Sequence, residues 1–293
     1  MRPPVSAAGP EASPLPRTEP HQAASRRSGR RSDRVFWFSL CVLGGSYAGL
    51  ILALLVADAA YTSPGHLVRA LRSPEIRYAI WLSLLTCSLA AIFSVWIGVP
   101  VGYVMSRRVF RGKALIDSLL DIPVVLPPLV IGLSLLILFQ TPPGKLIERL
   151  VPVTYAVPSV VLAQFTVACA FAVRTLRVAF DQINPRQEQV ALTLGCNQSQ
   201  AFWRVVLPQA KRGILTAGTL AWARALGEFG PILVFSGATR LRTEVLSTSV
   251  FLELSVGNLE AAVAVSLLMV AAAVVVLLTI RLGGQPEAFR QTP

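Results

Sequence analysis

Residues 78–105 read YAIWLSLLTCSLAAIFSVWIGVPVGYVM, 28 positions without one Asp, Glu, Lys or Arg. A helix rises about 1.5 Å per residue, so about 20 such residues cross a hydrocarbon layer about 30 Å thick. Inside that layer no water is present to satisfy backbone N–H and C=O groups, and a helix satisfies them internally. This stretch therefore reads as a membrane span, and the pattern recurs. Further apolar runs cover residues 35–56, 116–139, 155–175, 213–235 and 261–280, which makes six expected spans. The chain of 293 residues is 54% hydrophobic and only 14% charged, against about 25% charged in soluble domains. The expected fold class is an all-α membrane protein with six transmembrane helices.

The formal charge of +12 does not point to nucleic acid. The basic residues sit in short loops and in the N-terminal tail, with no stripe interleaved with aromatics. Counted outside the span cores, with Arg174 at the end of the fourth taken with the loop that follows, nineteen Lys and Arg fall in the tails and in the second-to-third and fourth-to-fifth loops, against seven in the alternate loops. The positive-inside rule then places both termini in the cytosol, in a multi-pass protein of the cell (inner) membrane.

Residues 1–33, rich in Pro, Ser, Ala and Arg without apolar periodicity, are expected to form a disordered cytosolic tail. Residues 34–282 form the transmembrane domain and 283–293 a short cytosolic tail. Arginine pairs precede the first apolar run, and Ala57-Asp58-Ala59 has the look of a cleavage site. The run exceeds the 7–15 residues usual for a signal peptide, which favours an uncleaved signal anchor. The four cysteines form no C-x-x-C pair, so no metal or disulfide role is expected. Only His21 and His66 are present, neither in a span. No paired carboxylates or histidines are arranged for acid–base catalysis, and no catalytic residue is assigned.

The most informative segment is the loop 181–208. Asn184 followed by Pro185 reads as an N-cap with proline at the first helical position, and Gln187 completes a capping box. Gly195 falls where a left-handed residue would end this helix. Asn197 with Gln200 repeats the capping signature, and Leu207-Pro208 is expected to end the second helix. Helix, glycine turn, helix makes a rigid knob on the cytosolic face.

Gln189-Val190-Ala191, three residues, Gly195, nine residues, then Val205-Val206-Leu207-Pro208 resembles the permease signature of binding-protein-dependent ABC importers, Glu-Ala-Ala, three residues, Gly, nine residues, Ile-x-Leu-Pro. Ala191, Gly195, Leu207 and Pro208 are identical to it; Gln189, Val190 and Val205 depart from it. The resemblance implies a type I importer permease architecture (MetI/ModB-like), a homodimer in membrane lipid, and an external substrate-binding protein. It also implies a separate ABC ATPase docking on Gln189, Val190, Ala191, Gly195, Val205, Leu207 and Pro208. No G-x-x-x-x-G-K-[ST] phosphate loop occurs, so no cofactor is expected on this chain, with ATP and Mg held by the partner subunit.

Residues 223–230, Ala-Arg-Ala-Leu-Gly-Glu-Phe-Gly, resemble the matching segment of molybdate, tungstate and sulfate permeases, as do residues 121–128, 243–248 and 257–260. The implied cargo is a tetrahedral oxyanion; another small solute, or a standalone secondary transporter or channel, is the alternative. Arg224 and Glu228 are four apart, on one helical face, and ionisable residues within a span are functional candidates. They either glue helices together or, for Arg224, touch the anion; Gly227 and Gly230 are expected to permit close helix approach. Pro123, Pro127 and Pro128 remove backbone donors from the third span, giving a kinked helix that either borders the pathway or is a packing kink. Asp117 and Asp121 share a face and are expected to order the adjoining loop. Arg240 and Arg242 meet either water or a binding protein.

Overall fold

The computed structural model describes residues 21–283, with side chains over residues 36–280. The chain divides into two units, Met1–Ala57 and Asp58–Pro293. The first contains most of α1 (His21–Tyr61), whose apolar part is Phe36–Tyr61. Helix therefore already covers residues 21–33, which the sequence assigns to a disordered tail. Residues 1–20 and 284–293 lie outside the described residues, and with them most of both expected tails.

The second unit is helical in all its described regular elements. It runs α2 (Pro64–Arg72), α3 (Pro74–Arg107), α4 (Lys113–Val125), α5 (Pro128–Gln140), α6 (Pro142–Leu150), α7 (Val157–Asp181), α8 (Pro185–Thr193) and α9 (Gln198–Ala201). A π-helical turn, Phe202–Val206, leads into α10 (Leu207–Leu226), followed by α11 (Gly230–Ser236), α12 (Leu246–Ser255) and α13 (Leu259–Gly283). Among the described residues, α1, α3, α7 and α13 are long and apolar enough to span singly, and the α4–α5 pair makes a fifth where it is counted as one broken span rather than a re-entrant loop.

α3, α7 and α10 form the centre. Their buried contacts are made by small residues, among them Ala90, Ala91, Ala168, Ala172, Ala221 and Ala225. Lipid tails are as apolar as leucine, so helices in a membrane associate by close packing rather than by hiding apolar surface. Gly98 and Gly102 take this furthest. A Cβ on Gly98 would lie 2.9 Å from Leu176 Cδ1, and one on Gly102 would lie 3.1 Å from the backbone nitrogen of Arg177. α3 and α7 are thereby locked along the half that ends at Arg107. Large apolar side chains such as Trp96, Leu133, Ile137 and Val275 face outward, where hydrocarbon, not water, is their natural solvent.

Two expected single spans are broken. In the third, α4 and α5 meet at 111°, far beyond a kink. Leu126 (ψ 140°) and Pro127 (ψ 133°) are both extended, because a residue preceding proline is driven out of the α region. The Pro127-Pro128 doublet imposes that twice, and Pro128 then opens α5. Pro123 lies inside α4 without ending it. In the fifth span α10 stops at Leu226 and α11 starts at Gly230. Pro231, in the first turn of α11, has no N–H and would clash with the Gly227 carbonyl in a continuous helix.

Candidate functional site

The loop 181–208 folds into a two-helix knuckle. Asn184 caps α8, its side chain accepting from Arg186 N at 3.0 Å. The expected capping box with Gln187 is absent: Gln187 N donates instead to the Asn184 backbone carbonyl. At the other end Gly195 takes φ +91°, Cys196 N donates to Ala191 O and Gly195 N to Leu192 O. These are the two bonds of a Schellman closure. The Asn197–Gln200 capping box is complete, with bonds of 2.8 and 3.0 Å.

The second helix does not end at Pro208. It runs on into α10 through the π turn, where Leu207 N donates to Phe202 O, five residues back. The wide turn removes the ordinary bond to Arg204 that Pro208 could not make and makes room for its ring. Leu207 and Pro208 thus join the knuckle rigidly to a membrane helix.

Within the knuckle, Gln189, Val190 and Pro208 are exposed, Val205 and Leu207 half-buried, and Ala191 buried. Leu194, Val190 and Trp203 add exposed apolar surface, at 80%, 55% and 63%. Its root is an apolar cluster of Leu176, Phe180, Val206 and Ala210, with Tyr103 and Phe202 packed against it. Around that root runs a ring of polar ties to the end of α3. Tyr103 Oη donates to Glu188 Oε1 at 2.5 Å, Ser106 Oγ to Asp181 Oδ1 at 2.5 Å, and Arg107 Nη2 to the Ile183 carbonyl at 2.8 Å. Arg108 Nη2 donates to Gln198 Oε1 at 3.1 Å, and Arg107 Nε lies 3.4 Å from Glu188 Oε2. The sequence reading missed Glu188, although its place in the first turn of α8, near a basic loop, is where a carboxylate is favoured.

The breaks in the two interrupted spans adjoin. A Cβ on Gly230 would lie 3.0 Å from Pro128 Cβ, and one on Gly132 would lie 2.8 Å from Pro231 Cα. α5 and α11 therefore pack at backbone distance, and Gly132 belongs to this contact although its sequence context gave no sign of it. A Cβ on Gly227 would meet nothing nearer than 3.8 Å; this glycine caps α10 rather than admitting a helix. Arg224 Nη1 lies 2.6 Å from Glu228 Oε1, and the guanidinium carbon sits 5.6 Å from the Phe171 ring centroid. Glu228 is buried, its side chain 1% exposed, and Ser247 Oγ donates to its backbone carbonyl at 2.6 Å. The two charges thus pair within one chain, although Glu228 Oε1 receives no hydrogen bond.

α4 is tied to α7 by charge. Arg174 Nε lies 2.8 Å from Asp121 Oδ1, and Arg177 pairs with Asp117. Asp117 and Asp121 hold a helix to its neighbour, more than the ordering of a loop expected of them. In the segment after α11, Arg240 Nη2 pairs with Glu253 Oε1 at 2.9 Å, while Arg242 is exposed.

A bundle of long apolar helices, two expected spans interrupted at facing prolines and glycines, and a capped knuckle continuous with one of them define a transport permease. The family described as binding-protein-dependent transport system inner membrane component matches residues 98–283, and the chain belongs to it. The sulfate transport system permease protein CysT of Escherichia coli is 31% identical over 234 residues, covering 79% of this chain and 84% of that protein. A probable molybdenum ABC transporter permease protein of Haloferax volcanii is 37% identical over 225 residues, covering 76% and 82%. In three dimensions the chain resembles a bacterial ABC transporter involved in the import of the acidic polysaccharide alginate. The TM-score is 0.65 at 17% identity, over 89% of this chain and 99% of that one, and this likeness bears on the fold alone.

Proposed function

We propose that this chain is the membrane-spanning subunit of an ATP-driven importer for a tetrahedral oxyanion, molybdate, tungstate or sulfate. Two copies form the pathway, a loaded binding protein docks outside, and a separate ATPase that holds ATP and Mg docks on the two knuckles inside. The charge asymmetry of the loops supports a cytosolic knuckle and cytosolic termini. Named relatives that carry sulfate and molybdenum support the class of cargo. Closure of the ATPases brings the knuckles together and rocks the bundles, and hydrolysis resets them.

The knuckle carries this reading. Two caps, a left-handed Gly195 and direct continuity with α10 make a stiff lever with exposed apolar surface. A loop that only linked two spans needs none of these features. Gln189, Val190, Ala191, Gly195, Val205, Leu207 and Pro208 form or shape the docking surface. The facing breaks, with Pro123, Pro127, Pro128, Arg224, Gly227, Glu228 and Gly230, lie at the pathway or at the helix contacts that shape it.

The test is uptake of radiolabelled molybdate and sulfate into liposomes that hold this chain, its cognate ATPase and internal ATP. Accumulation that requires both ATP and the loaded binding protein is the expected result. Uptake that runs without ATPase, down an ion or substrate gradient, would overturn the reading in favour of a standalone transporter or channel.

A further inference from the structure

Glu188 is the side chain through which α8 holds the membrane bundle. α8 packs mainly on α9 and the π turn, and Ala191 is its one buried residue. Its other firm tie is Glu188, which accepts from Tyr103 Oη at 2.5 Å and lies 3.4 Å from Arg107 Nε. Glu188 and Arg107 are 16% and 11% exposed, so the pair is shielded from the water that weakens surface ion pairs. Both partners stand on the last turns of α3, and Arg107 also grips the Ile183 carbonyl at the entrance to α8. The neighbouring Gln189 and Val190 are exposed, so one short helix presents one face outward and anchors the other.

We propose that Glu188 is a positioning residue that passes displacement of the knuckle to α3, and through the Gly98 and Gly102 contacts to α7, so that these two helices move as one body. The proposal rests on the knuckle being an ATPase dock and adds the route the movement takes from it. Backbone continuity already links the knuckle to α7 and α10. Without the Glu188 tie, α8 itself would swing about its ends when pushed, and less of its displacement would reach α3 through the remaining ties of Ser106, Arg107 and Arg108.

The test compares the wild-type complex, with its ATPase and binding protein, to Glu188→Gln, Arg107→Gln and the double variant. Molybdate taken up per ATP hydrolysed is measured alongside ATPase capture by the detergent-solubilised permease. Glu188→Gln should lower the uptake ratio by roughly tenfold, the worth of one charge-assisted hydrogen bond, with ATPase capture within about twofold of wild type, the change expected where no contact is lost. Because the two residues share one contact, the double variant should lose clearly less than the product of the two single losses. Tyr103→Phe, which deletes one hydroxyl and leaves the fold intact, should lower the same ratio by a smaller factor. An unchanged ratio in Glu188→Gln and Tyr103→Phe, multiplying losses in the double variant, or loss of ATPase capture in Glu188→Gln alone would each overturn the proposal. Failure of the wild-type chain to capture the ATPase would instead overturn the docking reading beneath it.

Discussion

Gly132 faces Pro231 across the junction of α5 and α11, so closely that a Cβ on Gly132 would stand 2.8 Å from Pro231 Cα and 2.9 Å from its carbonyl oxygen. Both obstacles are backbone and cannot rotate away. Gly132→Val should therefore separate two helices that each begin at a break, at a cost of about 1–3 kcal/mol for overpacking. Thermal unfolding in detergent and molybdate uptake should both fall. Gly227→Ala is the contrast, since nothing lies within 3.8 Å of the added carbon. It should stay within about 0.5 kcal/mol of wild type. Equal losses from the two substitutions would refute the close-packing account.

The knuckle turns on Gly195 at φ +91°, with open space around the α-carbon. A substitution there is opposed by backbone strain and not by crowding. Gly195→Val should cost about 1–2 kcal/mol and deform the turn, uncoupling transport while leaving membrane insertion unchanged. Gly195→Asn, which tolerates the left-handed region, should keep most ATPase capture. Carbonate-resistant membrane association, ATPase capture and uptake separate these effects; substrate-stimulated uptake at the wild-type rate in Gly195→Val would contradict them.

The spans legible in the sequence are those in which apolar length alone decides: α3 and α13 begin and end within about four residues of their apolar runs, and α7 starts with its run but continues six residues beyond it. Proline reading located the fault in the third span but underestimated it. One proline kinks a helix, whereas Pro127-Pro128 fixes two consecutive extended residues and turns the chain by 111°. Pro231 carries the same signal for the break before α11, masked in the sequence by the apolar residues that follow it. Pro208 misled in the other direction, because a π turn absorbs it, and π turns have no plain compositional signal. Asn197 with Gln200 gave its capping box, but Asn184 with Gln187 did not, since the short Asn184 side chain bonds Arg186 N instead. Glu188 and Gly132 escaped for a different reason. Their importance comes from residues about 85 and 100 positions away in sequence, and only the packed bundle brings those together.

Arg224 and Glu228 pair at 2.6 Å with the carboxylate buried. Removing the cation alone strands a charge in a place that cannot solvate it, and breaking such a pair costs about 3–5 kcal/mol. Arg224→Ala should therefore reduce folded yield more than Glu228→Gln, which leaves a neutral amide beside a cation that is partly exposed and stacked on Phe171. If the pair is structural, Arg224→Lys should keep KM for molybdate within about twofold, about 0.4 kcal/mol. A tenfold rise in KM with unchanged thermal stability would show the guanidinium to be an anion ligand.

Glu244 follows α11 in the segment outside the spans and is fully buried. Ser249 Oγ donates to its Oε1 at 2.8 Å. Burial pushes its carboxyl above the usual glutamate range; the Ser249 hydrogen bond and the Arg240 charge draw it back in part, and Glu253 and Glu75 push it up again. The folded state thus holds a proton that the unfolded chain releases near pH 4.5. Stability from this group is complete below that pH and is lost as pH rises through the raised folded value. Glu244→Gln mimics the protonated form and keeps an acceptor for Ser249, so it should remove this dependence. The measurement is Tm in detergent as pH rises from the ordinary glutamate range upward. Wild type should lose stability relative to Glu244→Gln as pH rises. A difference that stays constant, or that grows in favour of wild type with rising pH, would mean that the carboxyl is ionised throughout and held by Arg240.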